Sequence, residues 1–168
     1  MQGKADEKME KLSGENWEIG QADLEDWEDA ITLAWKTFLK FEAKDYGPMG
    51  VKNFRNFLSD AKLHRMFVLG KYLLFVAKID GETVGMITLR DETHISLLFV
   101  SAEYHHMGIG SSLIEYVQEY IVREQMQNQV TVDAAPYAAD FYRKLGFQDI
   151  GQEQRVEGIR FVPMRKCL

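Results

Sequence analysis

The chain has 168 residues, 46% of them hydrophobic and 27% charged, with a formal net charge of −6. That length accommodates one domain with a substantial core, the composition is that of a soluble globular protein, and the acidic balance argues against general nucleic-acid binding, which leans on Lys and Arg. No apolar run is long enough to span a bilayer, the N-terminus lacks a signal-peptide h-region, and the one cysteine, Cys167, admits no internal disulfide and fits a reducing cytoplasm.

Met1 to Glu15 is polar and charged without a period, and reads as a frayed tail ahead of a single domain over residues 16–168. Trp17 to Gln21 reads as a first strand. Asp23 can cap a helix carrying Leu24, Trp27, Ile31, Trp35 and Phe38 at helical spacing, an aromatic stripe suited to a core. Tyr46-Gly47-Pro48 is a break, and a second helix then runs through Val51, Phe54, Phe57 and Leu58. Leu73 to Ile79 and Thr83 to Leu89 are two strands joined by Asp80-Gly81, a hairpin signal.

The stretch from Thr93 to Leu113, T-H-I-S-L-L-F-V-S-A-E-Y-H-H-M-G-I-G-S-S-L, organises the rest. It starts as a β-branched and aromatic run, a buried strand antiparallel to the one before it. It turns through Gly108 and Gly110 into an amphipathic helix with Ile109, Leu113, Ile114, Val117 and Ile121 on one face. Strand, glycine loop and helix in that order aim backbone N–H groups and a helix dipole at an anion. Val130 to Val132 is a short strand, parallel to the organising strand because a helix intervenes. Pro136 suits the opening of the next helix and Gly146 its C-cap. Gln148 to Ile150 and Ile159 to Met164 close the chain as a strand pair. The class is α/β, a mixed, mostly antiparallel sheet with helices on both faces.

Three phosphate-binding loops compete for the glycines. A P-loop needs a lysine after the last glycine, and none follows Gly110. A dinucleotide fingerprint needs a third glycine where Leu113 stands. The third, Gln/Arg-x-x-Gly-x-Gly/Ala, is the pyrophosphate loop of the GNAT acetyltransferases. Y-H-H-M-G-I-G-S-S-L resembles it, with His105 in the Gln/Arg position. Downstream, A-P-Y-A-A-D-F-Y-R-K-L-G-F over Ala135 to Phe147 is similar to that family's second signature. The resemblance covers about Trp17 to Leu168 and is most specific over residues 93–147.

The resemblance implies acetyl transfer from acetyl-CoA to an amine. It assigns the pyrophosphate to the backbone of His105, His106, Met107, Gly108, Ile109, Gly110 and Ser111. It implies that the organising strand and the Val130 to Val132 strand splay apart, with the pantetheine lying between them against Leu98, Phe99 and Val100. The Leu98 N–H then donates to the thioester oxygen. Tyr142 matches the tyrosine of the F-Y pair and becomes the general acid, a phenol protonated at neutral pH. His94 is the candidate base, eleven positions before His105 (105 − 94 = 11), a spacing at which some histone acetyltransferases of the family carry a glutamate base. Strand alternation puts it on the side of Ser96 and Leu98. Glu92 and Asp133 are weaker candidates, Asp133 standing where the family often has Asn.

No metal is expected, since His105 and His106 are adjacent on a turn and lack an assisting Cys or Glu-x-x-His pattern. The acidic charge suits a cationic acceptor, a small-molecule amine or a protein amine. The acceptor groove is expected from Phe41 to Pro48 and Gly151 to Gly158. A non-catalytic acyl-CoA-binding module that regulates or scaffolds a partner stays open, as does a homodimer. No membrane partner is implied.

Overall fold

A computed structural model describes residues 9–11 and 16–168. The elements in chain order are β1 (Met9–Lys11), β2 (Glu18–Gln21), α1 (Trp27–Phe41), α2 (Ala43–Leu58), α3 (Ala61–Val68), β3 (Leu73–Ile79), β4 (Glu82–Arg90), β5 (His94–Val100), α4 (Ile109–Glu124), β6 (Gln129–Ala134), α5 (Ala139–Lys144), β7 (Gln148–Asp149), β8 (Gln154–Val156) and β9 (Ile159–Cys167). The sheet runs β1-β2-β3-β4-β5-β6-β9-β7, and β8 pairs with β9 off this path. All pairings are antiparallel except β5 with β6. That parallel pair follows from α4, whose crossover returns the chain to the end of the sheet at which β5 began.

Each face of the sheet carries its own core. On one, α4 lays Ile109, Leu113, Ile114, Val117 and Ile121 over Phe75, Ala77, Ile87 and Leu89, joined by Tyr142 and Phe147. The period of the sequence sets that helical face, and each of its five side chains contributes about 1.5–3 kcal/mol relative to exposure. Gly85 lets α4 sit this close, because a Cβ there would stand 3.1 Å from both Ile109 and Leu113. On the other face, Trp27, Phe38, Leu58, Leu63 and Phe67 from the first three helices cover Leu74, Met86, Leu97 and Phe99.

Several details differ from the expectations. Of the stretch read as a tail, Met9–Lys11 runs antiparallel to β2, and the remainder lies outside the described residues. Leu24 is 61% exposed, outside the aromatic stripe, because a 3-10 turn over Leu24–Asp26 precedes α1. The break at Tyr46-Gly47-Pro48 is a kink within one helical path, with Gly47 at φ 65° and ψ 174°. α3 was not expected: it is short, with only Leu63 and Phe67 buried, and starts where Asp60 accepts the Lys62 N–H at 2.8 Å.

The largest departure lies in β5. Leu89 pairs with Ile95 and Thr88 with Leu97, so Ser96 is an extra residue, a β-bulge. Polar side chains stabilise it. The Leu97 N–H donates to Thr88 Oγ1 at 3.0 Å, and the Tyr72 hydroxyl donates to Ser96 Oγ at 2.9 Å. The bulge inverts the alternation: Ile95 belongs to the α4 core, yet Leu97 and Phe99 belong to the opposite one.

Candidate active site

β5 and β6 pair only at His94 with Thr131 and Ile95 with Val132. Past the Ser96 bulge they part, and a cleft of about 900 Å³ is lined by Ser96 to Val100 on one side and Val132 to Ala135 on the other. α5 supplies Phe141 and Tyr142, the entry to α4 supplies Gly108 to Ser111, and α1, α2 and the junction between them supply Phe38, Glu42, Tyr46 and Phe54.

The glycine loop closes one end. Gly108 has φ 95° and His106 φ 62°, so the chain turns sharply into α4. The first bond of the helix is Ser112 N–H to the Gly108 carbonyl at 3.0 Å. The N–H groups of Ile109, Gly110 and Ser111 precede it and remain available to an anion. The two glycines serve different ends. Gly108 has open space around a would-be Cβ, so its requirement is conformational. Gly110 has an ordinary helical backbone, and a Cβ there would lie 3.4 Å from Phe141 Cζ and 3.8 Å from Val100 Cγ2, at the mouth of the gap. Met107 is exposed and stays out of the cleft lining, so only its backbone is in reach of the assigned role. His105 turns back: its Nε2–H donates to the Val100 carbonyl at 2.6 Å and its ring lies 4.7 Å from that of Phe41, tying the loop to the end of β5.

Leu98 and Val100 line the cleft and pack on the α4 core, while the buried Phe99 side chain turns to the other face, 6.0 Å from the Phe54 ring. Tyr142 is 5% exposed, set edge-on between Phe141 and Phe147. Its hydroxyl has no hydrogen-bond partner among the described residues. Burial foremost, then the charges of Glu42 and Tyr137, push its pKa above the usual tyrosine range.

His94 also lines the cleft, with Nδ1 2.8 Å from Thr131 Oγ1 and Nε2 3.6 Å from Asp133 Oδ2. Burial and the Arg90 charge lower its pKa, against opposing contributions from Asp133 and Asp91. The expectation that His94 shares a side with Ser96 and Leu98 is corrected by the bulge for Leu98, whereas Ser96, bonded to Tyr72 of the opposite core, stays on the His94 side. Ile95 and Leu98 both pack on the α4 core, so the His94 side chain projects from the opposite face. Asp133 lines the cleft, whereas Glu92 is exposed in the β4–β5 turn and does not. Among the described residues, no three His, Cys, Asp or Glu side chains are grouped to hold a metal ion.

The sequence reading passed over Glu42. It stands at the junction of α1 and α2, and its pKa is pushed up to about 7, by burial first and then by Asp45. A signal existed: Glu42 falls four residues after Phe38 and seven after Trp35, so a carboxylate ends the buried aromatic stripe.

A family model described as an acetyltransferase (GNAT) domain matches residues 42–168. An uncharacterized N-acetyltransferase of Escherichia coli (strain K12), YafP, is 37% identical over 89 residues, 53% of this chain and 54% of that protein. The chain spans about half the length of the curated relatives it matches. The crystal structure of a GCN5-related N-acetyltransferase from Rhodopseudomonas palustris has a TM-score of 0.80 at 22% identity, over 95% of this chain and 100% of that one. PaiA N-acetyltransferase from Thermoplasma acidophilum, in complex with coenzyme A, has a TM-score of 0.72 at 20% identity, over 92% and 100% of the two chains. At these identities the structural likeness shows the fold.

Proposed function

The chain belongs to the GNAT acetyltransferase family, and from that premise we propose that it transfers the acetyl group of acetyl-CoA to a primary amine by direct attack in a ternary complex. The observation that carries this reading is the convergence of the α4 N-terminus, the parted strands and Tyr142 on one cleft. The complex of a neighbour in fold with coenzyme A agrees with it.

In this reading the N–H groups of Ile109, Gly110 and Ser111 hold the pyrophosphate at the positive end of α4. Leu98, Phe99 and Val100 present the β5 backbone to the pantetheine, filling the gap that β6 leaves. The Leu98 N–H donates to the thioester oxygen, where a hydrogen bond that strengthens with developing charge supplies roughly 3–4 kcal/mol of transition-state stabilisation. Tyr142 gives its proton to the departing thiolate. Of the cleft residues that can take the proton shed by the acceptor amine, His94 is the one read from sequence and Glu42 the one met in the structure. The single cysteine agrees with a reducing cytoplasm as the place of work.

The test is turnover. The protein is incubated with acetyl-CoA and a panel of small amines and peptides, and free thiol is followed. Calorimetry with CoA, NAD and ATP runs beside it. CoA binding with thiol release on addition of an amine is expected. Binding of NAD or ATP without CoA overturns the reading, and CoA binding without turnover of any amine favours the module that only binds.

A further inference from the structure

We propose that Glu42 is the catalytic base: it receives the acceptor as an ammonium ion, takes its proton, and in doing so readies Tyr142 to act as the acid. The inference rests on the acetyl-transfer reading and names the residue that reading leaves open.

The geometry is that of a carboxylate without a cation. Glu42 caps the end of α1, where its N–H bonds the Phe38 carbonyl, and its side chain reaches into the cleft. Among the described residues it has neither ion pair nor hydrogen bond. Arg160 also faces the cleft, but Glu153 holds its guanidinium at 3.0 Å. A half-buried carboxylate lacking a counter-ion loses solvation without compensation. An incoming ammonium supplies what is missing. Tyr46 and Phe54, packed on the buried Phe38 with ring centroids 5.3 and 4.1 Å from it, line the same wall and offer π-faces to a cation and apolar surface to its carbon chain.

Charge links Glu42 to Tyr142. The Glu42 carboxylate helps hold the proton on Tyr142, as it does on Tyr46 and Tyr137. Burial, the larger cause, remains when Glu42 is protonated, but the Glu42 share of the restraint is gone, and the Tyr142 hydroxyl is the stronger acid for it when the thiolate leaves. Other charges face this pocket too. Asp45 from α2 raises the Glu42 pKa, and Arg160 from β9 acts on Tyr46 in the opposite sense. Glu157 and His105 border the same cleft.

The step balances. R–NH₃⁺ gives one proton to Glu42, and the freed lone pair forms the C–N bond at the thioester carbonyl carbon. The C–S bond breaks with its electrons on sulfur, and the thiolate takes the Tyr142 proton. The nitrogen's second proton restores Tyr142, and Glu42 returns its own to solvent. His94 is less suited, with Nδ1 engaged by Thr131 and a pKa lowered by burial. A carboxyl near neutrality is close to the best match for a base working at pH 7.

Glu42→Gln keeps the shape and deletes the base. Tyramine, spermidine and a tetrapeptide with a free N-terminus serve as acceptors, with His94→Gln in parallel. We expect Glu42→Gln to lower kcat/KM by roughly 10²-fold at pH 7, to lose the limb of the pH profile near 7, and to leave CoA affinity unchanged. Glu42→Asp should restore part of the rate, and His94→Gln should keep the limb. A Glu42→Gln enzyme with an intact limb, or a His94→Gln enzyme without it, overturns the assignment. If the wild type binds CoA but acetylates none of the probes, the acetyl-transfer reading fails at that point. Carbon-13 NMR of the Glu42 carboxyl then judges the residue separately: an ordinary carboxylate pKa overturns the proposal, and titration near 7 with uptake of the tyramine proton sustains it.

Discussion

Gly50 in α2 and Gly158 in the β8–β9 turn meet backbone to backbone. A Cβ on Gly50 would stand 2.8 Å from the Gly158 carbonyl oxygen, and one on Gly158 would stand 3.0 Å from the Gly50 nitrogen. Asn53 Nδ2 reinforces the seam by donating to the Glu157 carbonyl at 3.0 Å. Of the two segments expected to form the acceptor groove, 151–158 is thus fixed at its end to α2 just past 41–48, with the Tyr46 carbonyl oxygen 3.5 Å from a would-be Gly158 Cβ.

Gly50→Ala therefore forces the wall apart. The nearest atoms are the Gly158 carbonyl oxygen and Tyr46 Cβ, both at 2.8 Å, and neither is the far end of a flexible side chain that could swing aside. We expect a stability loss of about 1–3 kcal/mol, as for other overpacked sites. KM for an acceptor amine should rise, with CoA affinity unchanged. Thermal melts, steady-state kinetics and CoA calorimetry on this variant measure all three.

The glycine loop gives a second prediction. Any residue at Gly108 must adopt φ 95°, so a bulky change there mixes backbone strain with any effect on the ligand. Gly110→Ala is cleaner. Its Cβ meets Phe141 at ordinary van der Waals distance, so the fold should hold while a methyl enters the mouth where the phosphate approaches. CoA affinity should fall about tenfold, about 1.4 kcal/mol, without a drop in melting temperature. An unchanged affinity would remove Gly110 from the cofactor site.

The raised pKa of Glu42 has a thermodynamic consequence with a definite sign. Its folded value, about 7, lies above its ordinary value of 4.5. Burial then favours the protonated form, a contribution fully present below pH 4.5 and lost as pH rises through 7. Glu42→Gln, uncharged at every pH, should raise the melting temperature at pH 8 and leave it nearly unchanged at pH 4.5. At about 1.4 kcal/mol for each pKa unit, the gain at pH 8 is bounded by about 3.5 kcal/mol. Equal melting temperatures at pH 8 would mean that the carboxylate is solvated as at any surface site.

Local pattern made much of this legible. The stripe of α4 and the Asp80-Gly81 hairpin are each specified within a few residues, and each appears in the structure as read. The Ser96 bulge was not legible, because I-S-L-L-F reads as unbroken strand. Only the pairing partner, Leu89 with Ile95 and then Thr88 with Leu97, reveals the extra residue. α3 was missed because two buried residues in eight make a weak period, although Asp60 marked its start. Glu42 escaped for another reason. Its pKa comes from burial in a cleft it shares with Tyr142 and Arg160, residues 100 or more positions downstream that only tertiary folding brings there.

Tyr142→Phe separates chemistry from packing. The ring sits between Phe141 and Phe147, and the substitution keeps those contacts. The hydroxyl has no hydrogen-bond partner among the described residues, so its removal orphans no buried group. The melting temperature should hold or rise slightly, and CoA affinity should stay unchanged. If the hydroxyl protonates the thiolate, kcat should fall roughly 10²-fold. The loss should appear in kcat, because the interaction develops only as the C–S bond breaks. A tyrosine that merely packs predicts an undiminished kcat, and an assay in which chemistry limits the rate distinguishes the two. Leaving-group pKa offers a further check. An acetyl thioester whose thiol is more acidic than CoA needs less help from an acid, so the variant should recover part of the wild-type rate with it. A Tyr142→Phe enzyme equally slow with both thioesters would assign the hydroxyl to positioning and leave the proton to another donor.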